Sequence, residues 1–167
     1  MDIKRTQEEK SNFTQIDNLT NKETTNKTIS QYNTDNNDIS NISPFFENEN
    51  LYIAFQSNQI EGYYATSLEE AYILQNYNND LLNKVLKNLK PQIYKEIVGD
   101  DENRENLKHN SYKLQKKLSN SKSDFANELL YQFSIKDDEE ELPVLPEYIQ
   151  NALNWLKEQL NVNQEVA

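Results

Sequence analysis

Leu51-Tyr-Ile-Ala-Phe55 is a continuous apolar run between two turn-forming stretches, Asn48-Glu-Asn50 and Gln56-Ser-Asn58. Five such residues suit a strand buried on both faces, as in an α/β sheet. Soon after it, Gly62-Tyr-Tyr-Ala-Thr-Ser-Leu-Glu-Glu-Ala-Tyr-Ile-Leu74 opens a helix with carboxylates in its first turn. Ser67 and Glu70 stand in capping-box spacing, each placed to accept from the other's exposed backbone N–H. Leu68, Ala71, Tyr72 and Gln75 follow at three- and four-residue steps, which makes one face largely apolar. A lone strand cannot form a sheet. Its partners must come from the polar first segment, from another chain, or from sequence upstream.

Beyond this unit the periodicity is helical. Leu81, Leu82, Val85, Leu86 and Leu89 share one face of a helix from Asp80, which Pro91 kinks or ends. Ile93, Tyr94, Ile97 and Val98 continue a helical face as far as a stop at Gly99. Leu107, Leu114 and Leu118 mark a mostly polar helix, and Phe125, Ala126, Leu129, Leu130 and Phe133 mark the next. The acidic run Asp137 to Glu141 reads as a solvated loop. Pro146 then suits the first turn of a final helix carrying Ile149, Ala152, Leu153, Leu156 and Leu160. The chain has two glycines, so asparagine is expected at left-handed turn positions.

The 167 residues fit one domain, or a small domain with a tail. Apolar residues make up 35% and the mean hydropathy is -0.96. The deficit is concentrated in residues 1–43, which are expected to be polar, poorly ordered and unable to bury a core unaided. One helical turn there could span Thr25 to Tyr32. Residues 44–167 carry the strand and the helices. A formal charge of -11 argues against binding nucleic acid over the whole surface, and leaves room for a local basic face or a metal-mediated contact. Without cysteine there is no disulfide or thiolate metal site. No apolar run approaches the roughly 18 residues needed to span a bilayer, and the polar N-terminus does not read as a signal peptide. A cytoplasmic protein with no membrane partner is expected.

Five elements in order resemble the C-terminal part of the OLD (overcoming lysogenisation defect) family of ATP-dependent nucleases. They are Thr24-Thr-Asn-Lys-Thr-Ile29, Ala54-Phe-Gln56, the Gly62–Ile73 segment, Lys122-Ser-Asp-Phe-Ala126 and Pro146-Glu-Tyr-Ile-Gln-Asn-Ala-Leu-Asn-Trp-Leu156. In that family an ABC-type ATPase precedes a TOPRIM nuclease domain. The resemblance implies a helix-dominated α/β fold: an incomplete TOPRIM-like sheet of one or two strands, then a helical region. Met1-Asp2-Ile-Lys-Arg5 looks like the family's D-x-D element entered midway, with Asp2 at its second aspartate. The first aspartate, the TOPRIM glutamate and the ATPase would lie upstream, so the resemblance implies a fragment, inactive alone. Thr66 stands where the family commonly has Arg, Glu70 where it has Asp, and Ala152 where it has Gly.

The resemblance further implies DNA as substrate, Mg²⁺ as cofactor and an upstream ATPase/TOPRIM polypeptide as partner. Clustered carboxylates would hold Mg²⁺, with Asp2 and Glu69 as candidate ligands. Glu69 and Lys122 are the candidate catalytic residues, the lysine countering charge that develops on phosphate. Each also has a plainer reading. Asp2 could be a charged residue at a frayed terminus, and Glu69 a favourable charge at a helix N-terminus worth roughly 0.3–1 kcal/mol. Arg104, Lys108, Lys113, Lys116, Lys117 and Lys122 face one acid, Glu105, over that span. They form either a DNA-facing stripe or an ordinary solvated face. Thr25 and Asn26 could bind phosphate or simply make a turn. The functional expectation is part of a metal-dependent DNA endonuclease; the alternative is a non-catalytic acidic helical module that binds another protein.

Overall fold

The computed structural model describes residues 3–26, 45–48, 51–54, 56 and 58–165. Among them the protein is helix-dominated with few strands. No described helix is long and apolar enough to cross a membrane.

The strand at Leu51 departs from expectation. β1 (Phe45–Asn48) and β2 (Leu51–Ala54) make a two-stranded antiparallel ribbon, in register from Phe45 opposite Ala54 to Asn48 opposite Leu51. All four β2 residues are half-buried, where burial on both faces was expected. The reason is proximity. A partner two residues away in sequence can pair only antiparallel, and in a two-stranded ribbon each strand is an edge without a second neighbour. Part of the ribbon's cover is the last helix, α8 (Glu147–Glu165), whose Trp155 stacks on Tyr52 with ring centroids 5.3 Å apart. Phe55 and the expected helical turn after Asn26 lie outside the described residues.

The helices follow their sequence signals closely. α2 (Leu68–Gln75) is capped by Ser67, and α3 (Asp80–Leu89) by Asn79, whose side chain accepts from the Leu82 N–H at 3.0 Å. α4 (Pro91–Val98) begins on Pro91 and ends at Gly99, whose φ of 76° costs an ordinary side chain strain. α5 (Glu105–His109) and α6 (Ser111–Leu118) divide what the sequence suggested was one helix. α7 spans Lys122–Ile135. Tyr72 and Ile73 of α2 join Leu82, Val85 and Leu86 of α3, Ile97 and Val98 of α4, Leu107, Leu114, Leu118 and Phe125 in one core.

Asparagine takes one of the left-handed positions and other residues take the rest. Among described non-glycine residues these positions are Phe13, Asn21, Glu61 and Glu102. Glu61 and Gly62 form a tight reversal between Ile60 and Tyr63, which exchange backbone hydrogen bonds at 2.8 and 3.0 Å. Two successive positive φ angles are what such a turn demands, and the paired flanks hold glutamate there.

The polar opening is tied to this core rather than building its own. α1 (Gln7–Ser11) carries a full capping box between Thr6 and Glu9. Ile3 bridges to Thr24, and Ile3, Ile16 and Leu19 are buried together against Tyr64. The decisive tie is Arg5. Its guanidinium gives Nη2 to both oxygens of Glu70 at 3.0 and 3.2 Å and Nη1 to the Thr14 carbonyl, and it lies 3.5 Å over the Tyr112 ring. Glu70 is fully buried. Its Oε2 also accepts from the Thr66 N–H at 2.8 Å and the Thr66 hydroxyl at 2.7 Å. The capping box expected at Ser67 and Glu70 is therefore only half made. Ser67 accepts from the Glu70 N–H at 3.2 Å, but the Glu70 carboxylate has turned to a cation instead. The carboxylate is taken up by the Arg5 guanidinium together with the Thr66 N–H and hydroxyl, a charge-assisted set.

Arg5→Met should destabilise the protein by about 3–5 kcal/mol, because it strands the Glu70 carboxylate in the interior. Arg5→Met combined with Glu70→Leu should recover a large part of that loss in urea unfolding. A double variant as unstable as the single one would show that the pair is not what couples the two segments.

Candidate functional site

Anchoring the opening segment on α2 creates a cleft of about 290 Å³ between residues 3–10, the start of α2, α6 and the start of α7. Its lining is basic: Lys4, Arg5 and Lys10 from the opening segment, Lys116 from α6 and Lys122 from α7, together with Thr66 and Ser67. Lys4 is engaged by Glu23 at 2.7 Å. The N-terminus of α2 opens beside these residues, adding the positive end of a helix to a concave basic surface. In a chain of net charge -11 this is a local reversal of sign.

Glu69 and Lys122, brought forward from sequence on separate helices, meet at this rim. Lys122 Nζ lies 2.9 Å from Glu69 Oε1, the lysine side chain half-exposed and the glutamate side chain 13% exposed. The other Glu69 oxygen, Oε2, is buried with no hydrogen-bond partner. Burial pushes the Glu69 carboxyl up. The hydrogen bond from Lys122, its own backbone N–H, the Lys122 charge and the Ser67 hydroxyl together outweigh that and hold it below 4.5. Glu69 is thus an ionised carboxylate with one oxygen committed to a cation and the other buried.

The other sequence candidates divide. Asp2 lies outside the described residues. Thr25 sits in the cleft wall, and the Asn26 N–H donates to the Thr24 hydroxyl at 3.0 Å, so a turn and a place at the site coexist. The basic stripe does not act as one surface. Arg104 pairs with Asp80 at 2.6 Å, Lys113 with Glu96 at 2.6 Å, and Lys108 with both Glu61 and Glu105. Of the six cations, Lys116 and Lys122 line the cleft. Asp80, Glu61 and Glu96, which pair with Arg104, Lys108 and Lys113, lie outside the stretch from Arg104 to Lys122; Glu105 lies within it. Thr66, standing where the family has Arg, braces Glu70 and accepts from Arg5 Nε at 3.4 Å.

The sequence assigned no site role to Arg5, Glu70 or Lys10. The pairing of Arg5 with a carboxylate 65 positions away left no local trace; Glu70 was visible only as a capping-box residue.

Among the described residues no group of three or more His, Asp or Glu could hold a metal ion. Glu69 Oε2 offers one oxygen ligand, which fits a contribution to a Mg²⁺ site and does not make a site.

The chain is 55% identical over 161 residues, 96% of its length, to Endonuclease GajA of Bacillus cereus (strain HuB5-5), an OLD-family nuclease. The resemblance to that family holds. The chain spans 23% of that relative's length. No protein-family model and no solved structure matches it.

Removing the Lys122 ammonium should free Glu69 to respond to its burial. In Lys122→Met the Glu69 carboxyl should titrate at higher pH than in the parent, read from its side-chain carbon shift by NMR. The sign for stability follows from the depressed value. The Glu69 contribution is complete above about 4.5, the carboxyl's ordinary value, and is lost as pH falls through the lower folded one. The parent should therefore lose stability on acidification below that point more steeply than Glu69→Gln. Identical acid limbs for the two proteins would remove the ion pair from the account.

Proposed function

We propose that the chain is the C-terminal part of an OLD-family, TOPRIM-type DNA endonuclease, and that it forms the phosphate-binding wall of a metal-dependent cleavage site completed by other sequence. The observation that carries this reading is the 2.9 Å Glu69–Lys122 pair at the mouth of a basic cleft in an otherwise acidic protein. The identity with Endonuclease GajA supports the nuclease class, and the chain's limited share of that relative supports a partial site.

In this reading the cleft cations take the phosphodiester backbone. Attraction is local, so the net negative charge elsewhere does not prevent it. Lys122 sits where a phosphate oxygen gains charge as the bond to the leaving oxygen breaks. Its partner Glu69 keeps the ammonium aimed into the site until DNA arrives. Bound Mg²⁺ would activate the attacking water and steady the leaving oxygen. Glu69 Oε2 and Asp2 would supply two of its oxygen ligands, the remainder coming from carboxylates outside this chain. Arg5, paired with Glu70, holds the start of the described chain against the first turn of α2, next to Glu69.

The test is plasmid nicking in Mg²⁺ or Mn²⁺. The chain alone should leave plasmid intact, and the chain co-expressed with the part of Endonuclease GajA that it does not match should nick it. EDTA should stop the reaction. Lys122→Ala should slow it by roughly 10²–10³-fold, the scale of losing one preorganised charge-stabilising donor. Glu69→Gln should slow it while raising the Mg²⁺ concentration needed for half-maximal rate. An intact plasmid in every arm would sink the catalytic reading.

A further inference from the structure

α8 carries two apolar stripes, and one of them is uncovered. Tyr148 packs on the Ala65, Ala71 and Leu74 cluster and Trp155 stacks on Tyr52, so that side faces the protein. On the adjoining side Ile149, Leu153, Leu156 and Leu160 follow one another at steps of four, three and four residues, the spacing of a coiled-coil seam. Leu153, Leu156 and Leu160 are 51%, 48% and 57% exposed. The segment leading into the helix adds exposed Leu142, Val144 and Leu145, and is held to α8 by Gln150 Nε2 donating to the Leu145 carbonyl at 2.5 Å. Scattered leucines on a surface need no explanation, but an ordered seam continued by an apolar approach segment marks a contact.

Three considerations select what covers it. Most of the length of Endonuclease GajA has no counterpart in this chain, so a large body of polypeptide is available. A second copy is disfavoured by charge, since it would oppose two net charges of -11 and two acidic runs, Asp137 to Glu141, each directly before its apolar segment. The 19 residues of α8 are also fewer than three heptads, short for a helix that must pair with itself unaided.

We infer that the Ile149–Leu160 seam, with Leu142 to Leu145, is the docking surface for the polypeptide that makes up the rest of the nuclease. The partner surface is an apolar groove rimmed by lysine and arginine, which the acidic run steers into place. This rests on the reading of the chain as one part of a longer nuclease.

The test co-expresses the tagged chain with the unmatched part of Endonuclease GajA and follows co-purification and mass by light scattering. The expected result is a one-to-one complex for the parent and for Lys122→Ala. The Leu153→Glu/Leu156→Glu/Leu160→Glu chain should lose it, with far-UV helicity unchanged. The milder Leu156→Gln should weaken it at least tenfold, and added salt should slow its formation. Retention of the complex by the triple variant would overturn the proposal. So would a parent chain that forms its own dimer through the seam, or a co-expressed polypeptide that stays insoluble or elutes apart from the chain. A complex that forms and leaves DNA intact would defeat the functional reading and leave this one standing.

Discussion

Neither Arg5 nor Glu70 could occupy its position without the other. A lone carboxylate as deeply buried as Glu70 carries a desolvation cost of about several kcal/mol, and a buried guanidinium against Tyr112 fares no better. Together, with Thr66 and the Thr14 carbonyl taking up the remaining donors and acceptors, they form a satisfied network. That network joins the opening segment to the helical core, beside the hydrogen bonds of Gln15 to Lys108, Ser111 and Tyr112 and the packing of Ile3, Ile16 and Leu19 on Tyr64. The cleft lies along this joint.

The same joint sets the position of Glu69. It is the neighbour of Glu70 on the first turn of α2, so fixing one carboxylate in the interior directs the next one around the helix toward α7. Glu70 pairs with Arg5 in the interior and Glu69 with Lys122 beside the cleft, two adjacent acids divided by 100° of helical rotation. One is fully buried, and the other has a half-exposed lysine for a partner. The electrostatics of the cleft follow a similar division. Acids on other elements consume Arg104, Lys108 and Lys113, while Lys10, Lys116 and Lys122 line one concave surface. An acidic protein can hold an anion-binding cleft when its negative charge lies elsewhere, because screening shortens the reach of exposed charges to about 8–10 Å.

Much of the helical fold was legible in the sequence, because capping residues, Pro91, Gly99 and the three-and-four periodicity are local signals read over one or two turns. The division of α5 from α6 was missed, since Leu107, Leu114 and Leu118 keep a common phase across the break at Asn110. The β ribbon was missed in part for a different reason. An apolar run advertises burial without naming its partner, and the partner proved to be the adjacent Phe45–Asn48. Of the site, Glu69 and Lys122 could be named from their motifs. Their 2.9 Å meeting could not, since 53 residues of chain separate them.

The sequence by itself determined where helices start and stop, which residues are apolar enough to make a core, and which motifs carry the likeness to OLD-family nucleases. These depend on neighbours within a few positions, or on resemblance read residue by residue. Only the tertiary structure decided that Glu70 abandons its cap for Arg5, that most of the basic stripe is neutralised, and that the leucine seam of α8 faces outward. Each of those outcomes is a competition between partners distant in sequence, settled by the cost of burying charge and apolar surface. No local pattern records which partner arrives.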